Sequence, residues 1–170
     1  SDKARSGKVA QSLKELKRLG FAGATASFEL KLAQIRDLSK AVPMELIAYG
    51  RLPLMITENC LVQNETGCHL SEAGDAVPQQ APCRKPNDLQ DRTGAKFPLL
   101  PAYGHRTELQ NSAPLWLADK PDWRHCGLRF ARLRFTTESP ADCAAIFRAY
   151  ENGAPAPAAF TRGLYYRGVD

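Results

Sequence analysis

Glu45-Leu46-Ile47-Ala48-Tyr49-Gly50-Arg51-Leu52-Pro53-Leu54-Met55-Ile56-Thr57-Glu58-Asn59-Cys60 is the stretch that decides how the chain is read. It opens with a strand-like apolar run that ends in Gly50-Arg51-Leu52-Pro53. The stretch then delivers Cys60. Two further thiols follow, so that Cys60, Cys68 and Cys83 read as C-x7-C-x14-C. Between them lie Asn64, Gly67, Gly74, Pro78 and Pro82, residues that favour loops and bring little apolar surface. Three thiols drawn together by a metal would supply the order that such a segment cannot obtain from a core.

N-terminal to this stretch the periodicity is helical. Val9, Leu13, Leu16 and Leu19 recur at helix spacing opposite lysines, and Gly20 stands at the C-cap position of a helix over 8–19. Phe21 to Ala26 is expected as a strand. Ser27 is expected as the N-cap of a helix from Phe28 to Ser39, carried by Leu30, Leu32, Ile35 and Leu38. Helix, strand, helix, strand with short loops is the order of βα units on a parallel sheet. Two such units do not close a barrel. The expected organisation is residues 1–55 as the tail of something larger, built of βα units, and 56–170 as a β-rich, cysteine-bearing subdomain, an α+β chain altogether. In that geometry a site lies beyond the strand C-termini, which singles out Glu29, Glu45 and Arg51 as substrate-binding residues.

Further along, Asp91-Arg92-Thr93-Gly94 predicts a turn ahead of a strand over Lys96 to Leu100, and Glu108 to Gln110 predicts another. Leu128 to Phe135 interleaves apolar residues with Arg129, Arg132 and Arg134, as a half-exposed strand does. Those arginines, with Arg124 and the nearby Trp116 and Trp123, also fit a surface that stacks bases and meets phosphates. Ser139-Pro140 opens a helix through Tyr150, with Gly153 at its end, and Cys143 is expected on its buried face.

Composition narrows the class. A hydrophobic fraction of 44% and a charged fraction of 24% are those of an ordinary globular chain. No apolar run approaches the roughly 20 residues that span a bilayer, and Ser1 to Lys8 lacks a signal-peptide core, so no membrane partner and a cytoplasmic location are expected. The net charge of +5 is compatible with an anionic partner. Five cysteines without a secretory signal favour metal binding over a disulfide framework. His105 would complete a Cys3His set with Cys60, Cys68 and Cys83, and Cys126 is the alternative fourth ligand. His69 and His125 adjoin Cys68 and Cys126, so neither pair is expected to use both members.

Tyr49-Gly50-Arg51-Leu52-Pro53-Leu54-Met55, Glu58-Asn59-Cys60, Leu89-Gln90-Asp91-Arg92-Thr93-Gly94-Ala95-Lys96-Phe97-Pro98, Asn111-Ser112-Ala113-Pro114-Leu115-Trp116-Leu117-Ala118-Asp119 and the terminal Thr161-Arg162-Gly163-Leu164-Tyr165-Tyr166-Arg167-Gly168-Val169 together resemble peptidase family U32, the collagenase-like peptidases. The resemblance covers residues 15 to 169. It implies that residues 1–55 are the last βα units of a TIM-barrel-like catalytic domain, with the rest of the barrel as a partner and a protein, peptide or RNA substrate. Relatives include RNA hydroxylation factors that hold a [4Fe-4S] cluster on four cysteines. Where those relatives have one of the cysteines, this chain has His105, which opens zinc as the alternative to a cluster. No His-Glu-x-x-His or Gly-x-Ser-x-Gly is present, so no catalytic residue is assigned, and the isolated piece is expected to be inactive, or else a structural or docking module.

Overall fold

The computed structural model describes residues 11–68 and 81–167, in which the chain forms two units, residues 1–50 with 115–170 and residues 51–114. The expected boundary after residue 55 therefore differs from the one observed. The C-terminal third does not continue the cysteine-bearing subdomain, because its strands take their hydrogen bonds from the strand that Glu45 begins to define. His69, Gly74, Pro78, Val9 and the terminal Gly168-Val169 lie outside the described residues. The class is mixed α and β, with two open sheets. No helix among the described residues is long and apolar enough to cross a membrane.

In the first unit the chain begins with helix α1 over residues 11–18 and reaches the two-residue strand β1, Ala24–Thr25. Helix α2, Leu32–Asp37, leads to strand β2, Met44–Gly50, the centre of the sheet. Along β2 the side chains of Met44, Leu46 and Ala48 are buried while Glu45 and Ile47 are half-buried, the alternation of a pleated strand with one covered face. β1 pairs with β2 in parallel. Strand β8, Phe130–Leu133, does so too, although it arrives from far along the chain. Strand β7, Leu115–Trp116, is antiparallel to the end of β2. Helix α4, Pro140–Asn152, closes the unit, with Ser139 accepting the Asp142 N–H and the Asp142 carboxylate accepting the Ser139 N–H. Ile35, Leu46, Leu115, Leu117 and Tyr165 form the most deeply buried part of this unit.

Two expectations shorten here. The strand expected over Phe21 to Ala26 is reduced to Ala24–Thr25, with Gly23 close against the Pro43 carbonyl. The helix expected from Phe28 starts only at Leu32. Ser27 to Leu30 is a turn closed by the Leu30 N–H on the Ser27 carbonyl, and Lys31 is extended at the true N-cap. The first free N–H of α2 is satisfied by tertiary structure, Leu32 N–H donating to the Tyr165 carbonyl at 2.9 Å.

The second unit is an antiparallel sheet in the order β3-β6-β5-β4, with β3 Pro53–Thr57, β4 Asn87–Gln90, β5 Lys96–Ala102 and β6 Arg106–Gln110. The β4–β5 turn is the expected Asp91–Gly94 turn. Asp91 Oδ1 accepts the N–H groups of Thr93 and Ala95, and Gly94 takes φ +86. Helix α3, Leu61–Thr66, follows β3, and a 3₁₀ turn, Pro82–Arg84, precedes β4. The unit has little interior. Among its described residues the buried apolar side chains are Leu52, Val62, Ala81 and Pro98, whereas Leu54, Met55, Ile56 and Leu89 are exposed.

Candidate functional site

Cys60 and Cys68 bracket α3. Cys60 is its N-cap, and Cys68 follows Gly67, whose left-handed backbone (φ 62°, ψ 28°) ends the helix as its N–H returns to the Gln63 carbonyl. Such a short helix cannot hold itself in water and needs an anchor. Thr107 provides it: this side chain, buried in β6, accepts the Leu61 N–H at 3.0 Å, and Thr57 Oγ1 donates to the Thr107 carbonyl at 3.3 Å. Cys83 sits in the middle of the 3₁₀ turn, which packs against α3 and β5.

The fold therefore brings the turn that carries Cys83 against the helix that Cys60 and Cys68 bracket, across up to 23 positions of sequence. Burial pushes the Cys83 thiol up, and the charges of Cys60 and then Cys68 push it in the same direction, partly offset by its own backbone N–H and by Arg84. The charges of both thiols thus oppose the ionisation of Cys83. A soft divalent cation reverses that repulsion, because it binds the thiolates and not the thiols. All five cysteines are free thiols. Among the described residues no three His, Cys, Asp or Glu side chains already stand at metal-ligating geometry. The donor chemistry suits a thiophilic metal, but the described sulfurs are not closed around a point.

His105 lies in the turn between β5 and β6 with φ 55°, a left-handed conformation that few residues other than glycine adopt. Its neighbour Arg106 pairs with Glu58 at 3.0 Å, which brings this turn to the segment leading into Cys60. Cys126 belongs to the first unit, buried, its thiol directed at the carbonyls of Leu32 and Asp122 at 3.6 Å each. Cys143 is only half-buried on α4.

The three residues expected to bind substrate have different surroundings. Glu29 is exposed in the Ser27–Leu30 turn, its N–H on Ser27 Oγ at 3.3 Å. Arg51 uses its Nη1 on the carbonyls of Asn111 and Ser112, which makes it a clamp on the 111–114 loop. Glu45 alone is part of a constellation on a sheet face. Its Oε1 accepts from Thr25 Oγ1 at 2.7 Å on β1, and from Arg132 Nε at 2.7 Å and Nη2 at 2.5 Å on β8. Burial raises the Glu45 carboxyl, but Thr25 and Arg132 more than offset it and the net shift is downward. Thr25 and Arg132 were not legible as its partners, since Arg132 is 87 positions away.

The arginine and tryptophan surface is also rearranged. Trp116 and Trp123 are buried, with Trp123 Nε1 on the Leu117 carbonyl at 2.9 Å, so neither ring is available to stack a base. Arg124 lies over the Trp123 ring and donates to the Tyr150 carbonyl at 3.1 Å. Comparison with known proteins adds no assignment: no protein-family model, no curated protein and no solved structure matches this chain.

Proposed function

We propose that the chain is part of a protein of the peptidase U32 type, and that residues 51–114 form a thiol-ligated metal module within it. The packing of the 3₁₀ turn that bears Cys83 against the helix bracketed by Cys60 and Cys68 carries this reading. The sparse interior of that unit supports it, since small units without a sufficient core commonly depend on a metal. Cys60, Cys68 and Cys83 would be the ligands, with His105 the candidate fourth. Zinc in this position would act as a structural clip, whereas a [4Fe-4S] cluster would supply electron transfer. The first unit contributes the Thr25–Glu45–Arg132 constellation, where Glu45 stays ionised to orient a donor of a peptide or RNA substrate. The remainder of a barrel would complete that face.

The activity of the whole is then peptide hydrolysis, as the family resemblance implies. Cluster-dependent hydroxylation of RNA is the second reading, favoured by the three sulfurs, which suit an iron-sulfur cluster as well as they suit zinc. Metal and acid-labile sulfide content of protein purified without oxygen tests the proposal and separates the two. Iron with sulfide, lost in Cys60→Ala and Cys83→Ala, supports the redox reading. Zinc without sulfide, lost in the same variants, supports the clip. Metal content that those variants leave unchanged overturns the assignment.

A further inference from the structure

A cavity of about 460 Å³ lies in the first unit between α2, the 3₁₀ turn Asp122–His125 and the C-terminal turn, within the size range of small-molecule sites. Its chemistry is lopsided. Lys31 and Arg36 enter from the α2 side and His125 from the 3₁₀ turn, while Asp122 is the one carboxylate in the lining. That carboxylate is engaged, its Oδ2 accepting the Tyr166 hydroxyl at 3.1 Å. Arg36 pairs with Asp37 at 3.0 Å, but both side chains are well exposed, and a surface pair of this kind exchanges readily for a better acceptor. The wall is therefore rich in donors and poor in acceptors. Beside the donors the Tyr166 ring stands 41% exposed, with its rotation limited by the bond to Asp122, and Leu32 provides apolar floor.

We infer that this cavity binds a small anion joined to a planar ring, of the mononucleotide class. The anionic oxygens meet Arg36, Lys31 and His125, where a planar guanidinium matches two oxygens at once. The ring lies against Tyr166, as bases do on exposed aromatic side chains. Cys60, Cys68, Cys83 and His105 do not line it, and Cys126, which does, is no part of the metal module proposed above, so the inference stands or falls separately from that module.

Calorimetric titration of the full chain with adenosine 5′-monophosphate, adenosine and inorganic phosphate tests it. Saturable binding of the nucleotide is expected, with adenosine and phosphate each at least about tenfold weaker. Arg36→Ala and Tyr166→Ala should each weaken the nucleotide by about tenfold, and Arg148→Ala, an exposed arginine on α4, should leave it unchanged. Both target side chains are exposed enough for these variants to fold, which an unchanged thermal transition confirms. Absence of saturable binding at about 10 mM nucleotide overturns the inference. So does affinity indifferent to Arg36 and Tyr166, or phosphate binding as tightly as the nucleotide.

Discussion

Tyr150 donates its hydroxyl hydrogen to the carbonyl oxygen of Ala48 at 2.6 Å, across 102 residues of sequence. The Tyr150 hydroxyl oxygen in turn accepts the Leu117 N–H at 2.8 Å, so one phenol joins α4 to both β2 and the segment after β7. Burial pushes its ionisation well above the ordinary tyrosine range, and it remains a neutral donor. Tyr150→Phe leaves a buried carbonyl and a buried N–H without their partner. A loss of about 1–3 kcal/mol is expected, read as a lowered midpoint of urea unfolding with unchanged slope. A midpoint equal to that of the parent protein would show that the bond contributes nothing net.

Gly50 ends β2 at φ +125°, in a region that side chains rarely enter, and a Cβ there would run into the carbonyl of Arg134. The approach is needed because the Arg134 N–H donates to the Tyr49 carbonyl at 2.9 Å as the chain leaves β8. Gly50→Ala should cost at least about 2 kcal/mol, or prevent folding. The check is thermal unfolding beside Gly20→Ala, where a Cβ meets open space and only the positive φ is strained. Equal losses at the two positions would refute the steric account.

Asp119 and Arg162 form a two-pronged pair, with Nη1 to Oδ1 and Nη2 to Oδ2 both at 2.6 Å, and less than a quarter of either side chain exposed. The Arg162 guanidinium holds the Asp119 carboxyl below its ordinary range. A carboxyl depressed on folding stabilises the native state above its unfolded pKa of about 3.9, and this contribution is lost as pH falls through the lower folded value. Asp119→Asn should therefore destabilise by about 1–2 kcal/mol near pH 7, with the difference from the parent shrinking below about pH 4. Denaturant midpoints at a series of pH values measure it. A difference that stays constant down to pH 2 would assign the loss to packing instead of charge.

Thr107→Val keeps the shape of a buried side chain and removes the acceptor that holds the first turn of α3. Stability should fall by about 1–3 kcal/mol. Because Cys60 is the N-cap of that helix, its thiol should also react faster with a thiol reagent, and metal uptake should weaken. Unchanged Cys60 reactivity in a destabilised Thr107→Val protein would separate the cap from the placement of the thiol.

What was legible in the sequence was whatever a few neighbouring residues decide. Ser139-Pro140 fixed the start of α4 because an N-cap and a proline act within one turn, and Asp91 announced its turn because its carboxylate bonds its own neighbours. Apolar spacing gave β2 nearly to the residue. It overextended α2, where Leu30 kept the period but Lys31 is extended and the first N–H is taken by Tyr165, a partner no local pattern reveals. At the site, the three cysteines stood out by residue type. The partners of Glu45 did not, since Thr25 and Arg132 meet it only after β1 and β8 have both paired with β2.

Residues 51–114 leave the first unit and return to it within one continuous stretch, and the stretch closes on itself where the Asn111 N–H donates to the Leu52 carbonyl at 2.9 Å. Among the described residues, all of its strand pairings are made inside it. The sheet of the first unit, by contrast, lacks β8 until Leu133 has been synthesised. During synthesis from the N-terminus the inserted unit thus has its strand partners while β2 still waits for one of its neighbours. Loop closure across the insertion is costly for a disordered chain, and folding of the insertion first brings the two flanking segments together beforehand. The insertion, once folded, would shorten the loop that β2 must close to meet β7 and β8.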